Sequence, residues 1–200
     1  MLKKLEVDYR IKVKHDALLD QPIIIRLKKF NEEGADKFTE ELNKAQDTGQ
    51  PIIPIVVDSY GGQVYSLLGM ISEIQSCKIP IATICESKAM SCGAIIFSMG
   101  QQRFMSPHAT IMIHEVSSMS FGKIEEIKSD AAETDRLNNY IFNLLDKNCG
   151  KHKNYFLDII HKKSHADWYL DAKEAKKHGL CHNIHIPTLN VKVSVNYEFK

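Results

Sequence analysis

The amino-acid sequence predicts an α/β fold in which helices cover a mainly parallel β-sheet. Short apolar runs alternate along the chain with segments whose apolar residues recur every three or four positions. This alternation is typical of parallel sheets, because each crossover between parallel strands needs a long connection, usually a helix. The chain has 200 residues, 44% of them hydrophobic, which suits one domain with a full core. We therefore predict a single domain over residues 1–200 with its core at about 22–185.

The strands and helices of the core follow one another in pairs. The apolar runs are short enough for buried strands, and the helical stretches place their apolar residues on one side. A turn at Ser106-Pro107 precedes the fourth strand. Strands are predicted at 23–25, 52–57, 80–85 and 109–113, and helices at 35–45, 64–74 and 91–98.

Two further helices are predicted in the second half of the chain. A long helix is expected over 123–148, because its apolar residues keep mostly three- and four-residue steps and Gly150 follows as a C-terminal cap would. The last helix is expected from Asp171, as N-cap, to Gly179. Near the termini, residues 1–15 and 187–200 are predicted strands, since 5–13 and 191–199 carry an apolar residue at every second position.

Charge and composition exclude several classes of protein. The 26 basic and 25 acidic side chains nearly cancel, so neither nucleic acid nor an anionic membrane is an expected partner. We see no apolar run of membrane-spanning length and no signal-peptide pattern. The five cysteines are odd in number and form no CxxC pair, which is typical of a reducing compartment. We expect a cytoplasmic protein, or one from an equivalent organelle interior.

Three segments place reactive groups at the ends of predicted strands. Gly61 and Gly62 follow the second strand, Ser91 begins the helix after the third, and His114 ends the fourth. The carboxyl ends of parallel strands are where open α/β sheets bind ligands. Taken singly, a glycine turn, a serine N-cap and a strand-end histidine are ordinary structural features.

Together these segments resemble the family of Clp protease proteolytic subunits (ClpP). The glycine turn, the serine segment Ala89-Met90-Ser91-Cys92-Gly93-Ala94 and the histidine segment Met112-Ile113-His114-Glu115 each match a family motif, and the likeness continues through 169–180. It spans roughly 23–184. The resemblance implies a ClpP/crotonase-like spiral of strand and helix units, in which the helix at 123–148 is the handle between two rings.

The resemblance also implies roles for individual residues. Ser91 is the expected nucleophile, His114 the general base and acid, and Asp167 the carboxylate that orients His114. The backbone N–H groups of Gly62 and Cys92 are the expected oxyanion hole, and Tyr60, Gly61 and Gly62 are expected to contact substrate, with Tyr60 in the place of the family's usual proline. The chemistry needs these types, because a serine hydroxyl must lose a proton that imidazole can take and return near neutral pH.

Some alternatives stay open at this stage. The spacing before Asp167 is about four residues longer than is usual in the family, so Asp158 and Asp171 are rivals for its role, although Asp171 also suits an N-cap. Cys92 is a weaker candidate nucleophile. His161 and His165 stand four apart, and His182 and His185 three apart, but no sequence pattern completes a zinc site, so we predict no metal and no other cofactor.

The resemblance implies an assembly as well. Polypeptide substrates are expected to be cleaved inside a homo-oligomer of two stacked heptameric rings, a tetradecamer. The chain lacks a GxxxxGK[ST] phosphate loop, so any ATP dependence must come from a separate AAA+ unfoldase such as a Clp ATPase. The alternatives are a catalytically silent ring subunit and a more distant relative of the same superfamily, either a signal-peptide-peptidase-like membrane hydrolase or a crotonase-type thioester enzyme.

Overall fold

The computed structural model describes residues 22–188, which form a six-stranded sheet and six helices. This architecture confirms the predicted α/β fold class. Along the chain the elements are β1 (Ile25–Leu27), α1 (Glu32–Asp47), β2 (Ile53–Ser59), α2 (Val64–Ser76), β3 (Ile81–Met90), α3 (Cys92–Ser98), β4 (Gln102–Met105), β5 (Thr110–Ile113), α4 (Ile124–Asn148), α5 (Tyr155–Lys162), β6 (Trp168–Leu170) and α6 (Ala172–Lys177).

The sheet is parallel except at one edge. Its order is β1-β2-β3-β5-β6, and β4 pairs with β3 off this path. The long strand β3 pairs with β4 and with β5 along different parts of its length. Its residues Ala82–Cys85 pair with β4, and Lys88–Met90 pair with β5. The last strand, β6, runs antiparallel to β5. The mainly parallel sheet predicted from the sequence is therefore confirmed.

The helices cover the sheet with the apolar residues that the sequence pattern selects. Phe38, Leu42 and Ala45 of α1 are buried, as are Leu67 and Ile71 of α2. Capping fixes where several helices begin: the Asn31 side chain accepts a hydrogen bond from the Gly34 N–H, and the Asp171 side chain accepts one from the Glu174 N–H, as predicted. Within residues 22–188 no helix combines the length and apolar character needed to cross a membrane.

Several elements differ from their predicted positions. The first strand lies at Ile25–Leu27 instead of 23–25, and β4, α5 and β6 were not predicted. Strands β4 and β6 have four and three residues, which is too short for a clear period of two. The predicted strands at 5–13 and 191–199 lie outside the described residues and stay predictions.

A buried arginine joins the ends of three helices. Arg103 lies on β4 with 6% of its surface exposed. Its guanidinium donates to the carbonyl oxygens of Ser98 at 2.8 Å, Asn148 at 3.1 Å and Gly179 at 2.9 Å, at the carboxyl ends of α3, α4 and α6. A cation is favourable there, because the carbonyl groups that end a helix carry its negative dipole. Arg103 thus replaces the hydrogen bonds that these carbonyl groups cannot make within their helices.

Candidate active site

The glycine turn after β2 lies directly against Ser91. Gly61 has φ +102° and Gly62 has φ +154°, a region that favours glycine. A Cβ on Gly61 would lie 2.7 Å from the Ser91 Cβ, and a Cβ on Gly62 would lie 2.4 Å from the Phe30 carbonyl oxygen. Both glycines are therefore required by close approach as well as by backbone conformation. The Ser59 hydroxyl steadies the turn by accepting the Gly61 N–H at 3.0 Å.

Ser91 occupies the junction of β3 and α3 in a strained conformation. Its φ is 53° and its ψ is −121°, which costs a residue with a side chain about 1–3 kcal/mol. The Ser91 N–H donates to the Met112 carbonyl at 2.9 Å, and this bond helps to hold the residue in place. The side chain lines a cavity of about 250 Å³ together with Tyr60, Gly62 and Cys92.

His114 stands immediately after β5 and faces Ser91. The distance between His114 Nε2 and Ser91 Oγ is 2.8 Å, a hydrogen bond between a base and a hydroxyl. The other ring nitrogen, Nδ1, lies 3.7 Å from Asp167 Oδ1. This distance is within the range of an ion pair but longer than a hydrogen bond. The structure thus brings Ser91, His114 and Asp167 together in that order.

The rivals of Asp167 have other places in the fold. Asp171 caps α6, where its Oδ1 accepts the Glu174 N–H at 2.8 Å. Asp158 lies in the first turn of α5. Asp167 directly precedes β6, and the pairing of Trp168 with Ile113 places it beside the residue that follows Ile113, which is His114.

Cys92 is buried next to Ser91, and its thiol is bonded to the glycine turn. Its Sγ donates to the Gly62 carbonyl at 3.3 Å, and the residue is only 4% exposed. Burial raises the pKa of the Cys92 thiol, so the reactive thiolate is disfavoured. These observations support Ser91 over Cys92 as the candidate nucleophile.

Comparison with known proteins identifies the family of the chain. The family model for Clp protease matches residues 7–187. The chain belongs to the Clp protease family. One relative is ATP-dependent Clp protease proteolytic subunit 1 of Rhodopirellula baltica, which is 27% identical over 176 residues, covering 86% of this chain and 76% of the relative.

Beside the serine, this Clp protease family member has a feature that the sequence did not reveal. Lys88 forms an ion pair with Asp58 at 2.6 Å, and its ammonium lies 4.5 Å from the centre of the Tyr60 ring. The Tyr60 ring, which is 74% exposed, is thereby held by a cation–π contact at the rim of the cavity. Tyr60 was predicted from the sequence as a substrate contact, but a role for Lys88 was not. The position of Lys88 beside Asp58 results from the pairing of β2 with β3.

Glu115, the residue after His114, contacts two histidines, one on α5 and one on the turn that follows it. Its Oε2 lies 2.5 Å from His165 Nδ1, and its Oε1 lies 3.5 Å from His161 Nε2. Partial burial alone would raise the pKa of Glu115, but the contacts with His165 and His161 outweigh it and lower the pKa. Spacing could not reveal this cluster, because Glu115 is distant in sequence from both histidines.

Proposed function

We propose that the chain is a serine endopeptidase that cleaves extended polypeptides and uses Ser91 as its nucleophile. The observation that carries this proposal is the 2.8 Å distance between Ser91 Oγ and His114 Nε2 at the wall of an open cavity. A hydroxyl beside an imidazole can be deprotonated as it attacks, which is the requirement for acyl transfer at neutral pH. Membership of the Clp protease family supports the same chemistry.

The proposed reaction proceeds through an acyl-enzyme. His114 accepts the Ser91 proton as Oγ attacks the carbonyl carbon of the substrate, and the backbone N–H groups of Gly62 and Cys92 stabilise the negative oxygen. His114 then gives the proton to the departing amine. In the second half, His114 takes a proton from water, the hydroxide attacks the ester, and the proton returns to Ser91 Oγ as the acid product leaves.

Asp167 is proposed to keep His114 in the tautomer that has its proton on Nδ1. The separation of 3.7 Å must shorten by about 1 Å to become a charge-assisted hydrogen bond. The Asp167 side chain is 48% exposed, so it has room for such a movement. Catalytic hydrogen bonds are often long before substrate binds.

Tyr60, Gly61 and Gly62 are proposed to guide the substrate along the cavity rim.

Exposed apolar residues near the start of α4 support the proposed ring assembly. Met119, Phe121 and Ile124 are 82%, 84% and 71% exposed. Such side chains in one segment favour burial against another subunit. We propose that this segment and α4 form the handle between two stacked heptameric rings.

We also propose that the chain is one domain and that it works in a reducing interior such as the cytoplasm. The relative is named as an ATP-dependent protease subunit, which supports a separate AAA+ unfoldase as the partner of this chain.

A fluorophosphonate probe tests the nucleophile directly. It should label the wild-type chain at Ser91, and a fluorogenic peptide should be hydrolysed at a rate that Ser91→Ala lowers by at least about a thousandfold. Ser87→Ala is the matched control, because Ser87 is exposed on the same strand, and it should keep its activity. An unlabelled, inactive wild-type oligomer would support the silent-subunit alternative instead.

The chamber is tested by comparing substrates. The isolated protein should elute as a large homo-oligomer that hydrolyses short peptides without ATP and leaves a stably folded protein intact. Degradation of the folded protein without an ATPase would contradict a gated chamber, even if Ser91 is the nucleophile.

A further inference from the structure

Glu115, His161 and His165 direct three potential metal ligands at one point. The candidate ligand atoms all lie within 4.8 Å of one another, and the two imidazole rings are 4.5 Å apart between centres. Glu115 lies two residues beyond the end of β5, whereas the histidines lie on α5 and on the turn that follows it. The group therefore joins two parts of the fold.

The backbone of the turn is strained in a way that brings His165 over His161. Ser164 and His165 both have left-handed backbone conformations, with φ of 58° and 61°, which residues with side chains rarely adopt. The turn is held by hydrogen bonds from the Ser164 N–H to the His161 carbonyl and from the His165 N–H to the Ile160 carbonyl, each 3.0 Å long. Strain of this kind persists where the surroundings over-determine it, and it is common at ligand sites.

We propose that Glu115, His161 and His165 bind one Zn²⁺ ion, with water as the fourth ligand. Imidazole nitrogen and carboxylate oxygen are zinc ligands, and two histidines with one glutamate make a known three-ligand set. Zinc–ligand bonds of about 2.0–2.2 Å in a tetrahedron require ligand atoms about 3.3 Å apart. The wider separations, all within 4.8 Å, must then shrink and the 2.5 Å contact between Glu115 and His165 must lengthen, which the partly exposed side chains permit.

Metal binding at this position fixes the turn that leads to Asp167. Glu115 follows His114 directly, and His165 lies two residues before Asp167. An ion bound to both would cross-link the strand end that carries the imidazole to the turn that leads to the carboxylate. The site itself does not depend on the proposed peptidase activity, so the two proposals can fail separately.

Calorimetric titration with zinc tests the site. The chain should be untagged and freed of metal with a chelator, because a histidine tag would itself bind zinc. We expect one ion per chain, with affinity at least about tenfold weaker in His161→Ala, His165→Ala and Glu115→Gln, since each loses a direct ligand. Unchanged affinity in these variants, or the lack of a one-to-one site in the wild type, would overturn the proposal.

A matched control and a second measurement separate the site from surface binding. His108→Ala removes an exposed imidazole elsewhere and should bind zinc like the wild type. If it weakens binding as much as His161→Ala, the zinc binds only adventitiously.

Cobalt in place of zinc should give the visible absorption of a tetrahedral ion. Bound metal should also slow amide hydrogen exchange at 163–167 in the wild type but not in His161→Ala. Octahedral cobalt spectra with unchanged exchange would contradict the site.

Discussion

Asp167 Oδ1 lies 3.7 Å from His114 Nδ1 because β6 pairs antiparallel with β5. In that register Ile113 is opposite Trp168, so His114, which follows β5, lies beside Asp167, which precedes β6. Helix α5 and the turn after it lie between Gly150 and Asp167, and Asp167 follows that turn directly before β6.

Asp167→Asn should lower peptide turnover far more than Asp158→Asn or Asp171→Asn. An amide can present its N–H to His114 and favour the wrong tautomer, and we expect a loss of at least about a hundredfold in kcat. Asp158→Asn should be nearly silent. Asp171→Asn keeps a capping side chain, because asparagine is also a good N-cap. Steady-state kinetics check the ranking, and equal losses in all three variants would contradict the role of Asp167.

Gly61→Ala should abolish hydrolysis by displacing Ser91. The added methyl group would lie 2.7 Å from the Ser91 Cβ on a backbone with φ +102°, so either the turn or the serine must move. Gly69→Ala is the matched control. Gly69 lies within α2 with no atom within 4 Å of an added Cβ, so alanine there should stabilise the fold by up to about 1 kcal/mol and leave activity unchanged. Activity assays and urea unfolding measure both effects, and an active Gly61→Ala would refute this prediction.

Elements with a strong periodic signal were predicted correctly. The helices at 35–45, 64–74 and 123–148 were predictable because each is long enough to repeat its apolar face, and they correspond to α1, α2 and α4. The proximity of Ser91 and His114 was predictable, because the apolar pattern placed both at the ends of predicted strands and the resemblance paired them as nucleophile and base.

Contacts between distant segments outside the predicted triad could not be predicted. The cluster of Glu115 with His161 and His165 depends on a left-handed turn that no glycine announces. Arg103 was not singled out from the sequence, yet it is buried where the ends of three helices meet. The Glu174 carboxylate accepts the indole N–H of Trp168 at 3.1 Å, which no pattern in the sequence predicts. Each depends on tertiary packing, for which local periodicity carries no signal.

His178 should make the fold less stable as the pH falls below about 6.5. Burial lowers its pKa from the ordinary value near 6.5, and its Nδ1 lies 2.8 Å from the Tyr155 hydroxyl. The unfolded chain therefore takes up a proton at a higher pH than the folded chain does. Stability falls with pH from 6.5 down to the lowered pKa and changes no further below it.

The measurement is the difference in melting temperature between about pH 7.5 and about pH 5.5, a window around the ordinary imidazole value. His178→Gln, which can still bond Tyr155 but does not titrate, should reduce that difference. His152→Gln removes an exposed histidine and should not. His182 has a pKa lowered by burial and by nearby Arg103, so some pH dependence should remain in His178→Gln. The same difference in His178→Gln and wild type would rule out this linkage.

Arg103→Met should destabilise the fold by at least about 3 kcal/mol, because three carbonyl groups lose their hydrogen-bond donor and each loss costs about 1 kcal/mol or more. Methionine fills much of the same space but cannot donate, so carbonyl groups of Ser98, Asn148 and Gly179 would be left without their partner at the ends of three helices. Each buried carbonyl without a partner costs about 1–3 kcal/mol. Urea unfolding at a fixed protein concentration measures the loss.

Two further variants separate the charge of Arg103 from its shape. Arg103→Lys keeps the cation but loses the planar fork that reaches several carbonyl groups at once, so it should recover only part of the lost stability. Arg136→Met is the control for a lost surface charge. Arg136 pairs with Glu133 at 2.7 Å on the exposed face of α4, where solvent screens the pair and its contribution to stability is small. If Arg103→Met unfolds at the same urea concentration as Arg136→Met, the helix ends are held by apolar packing alone, and the arginine is only a tolerated buried charge.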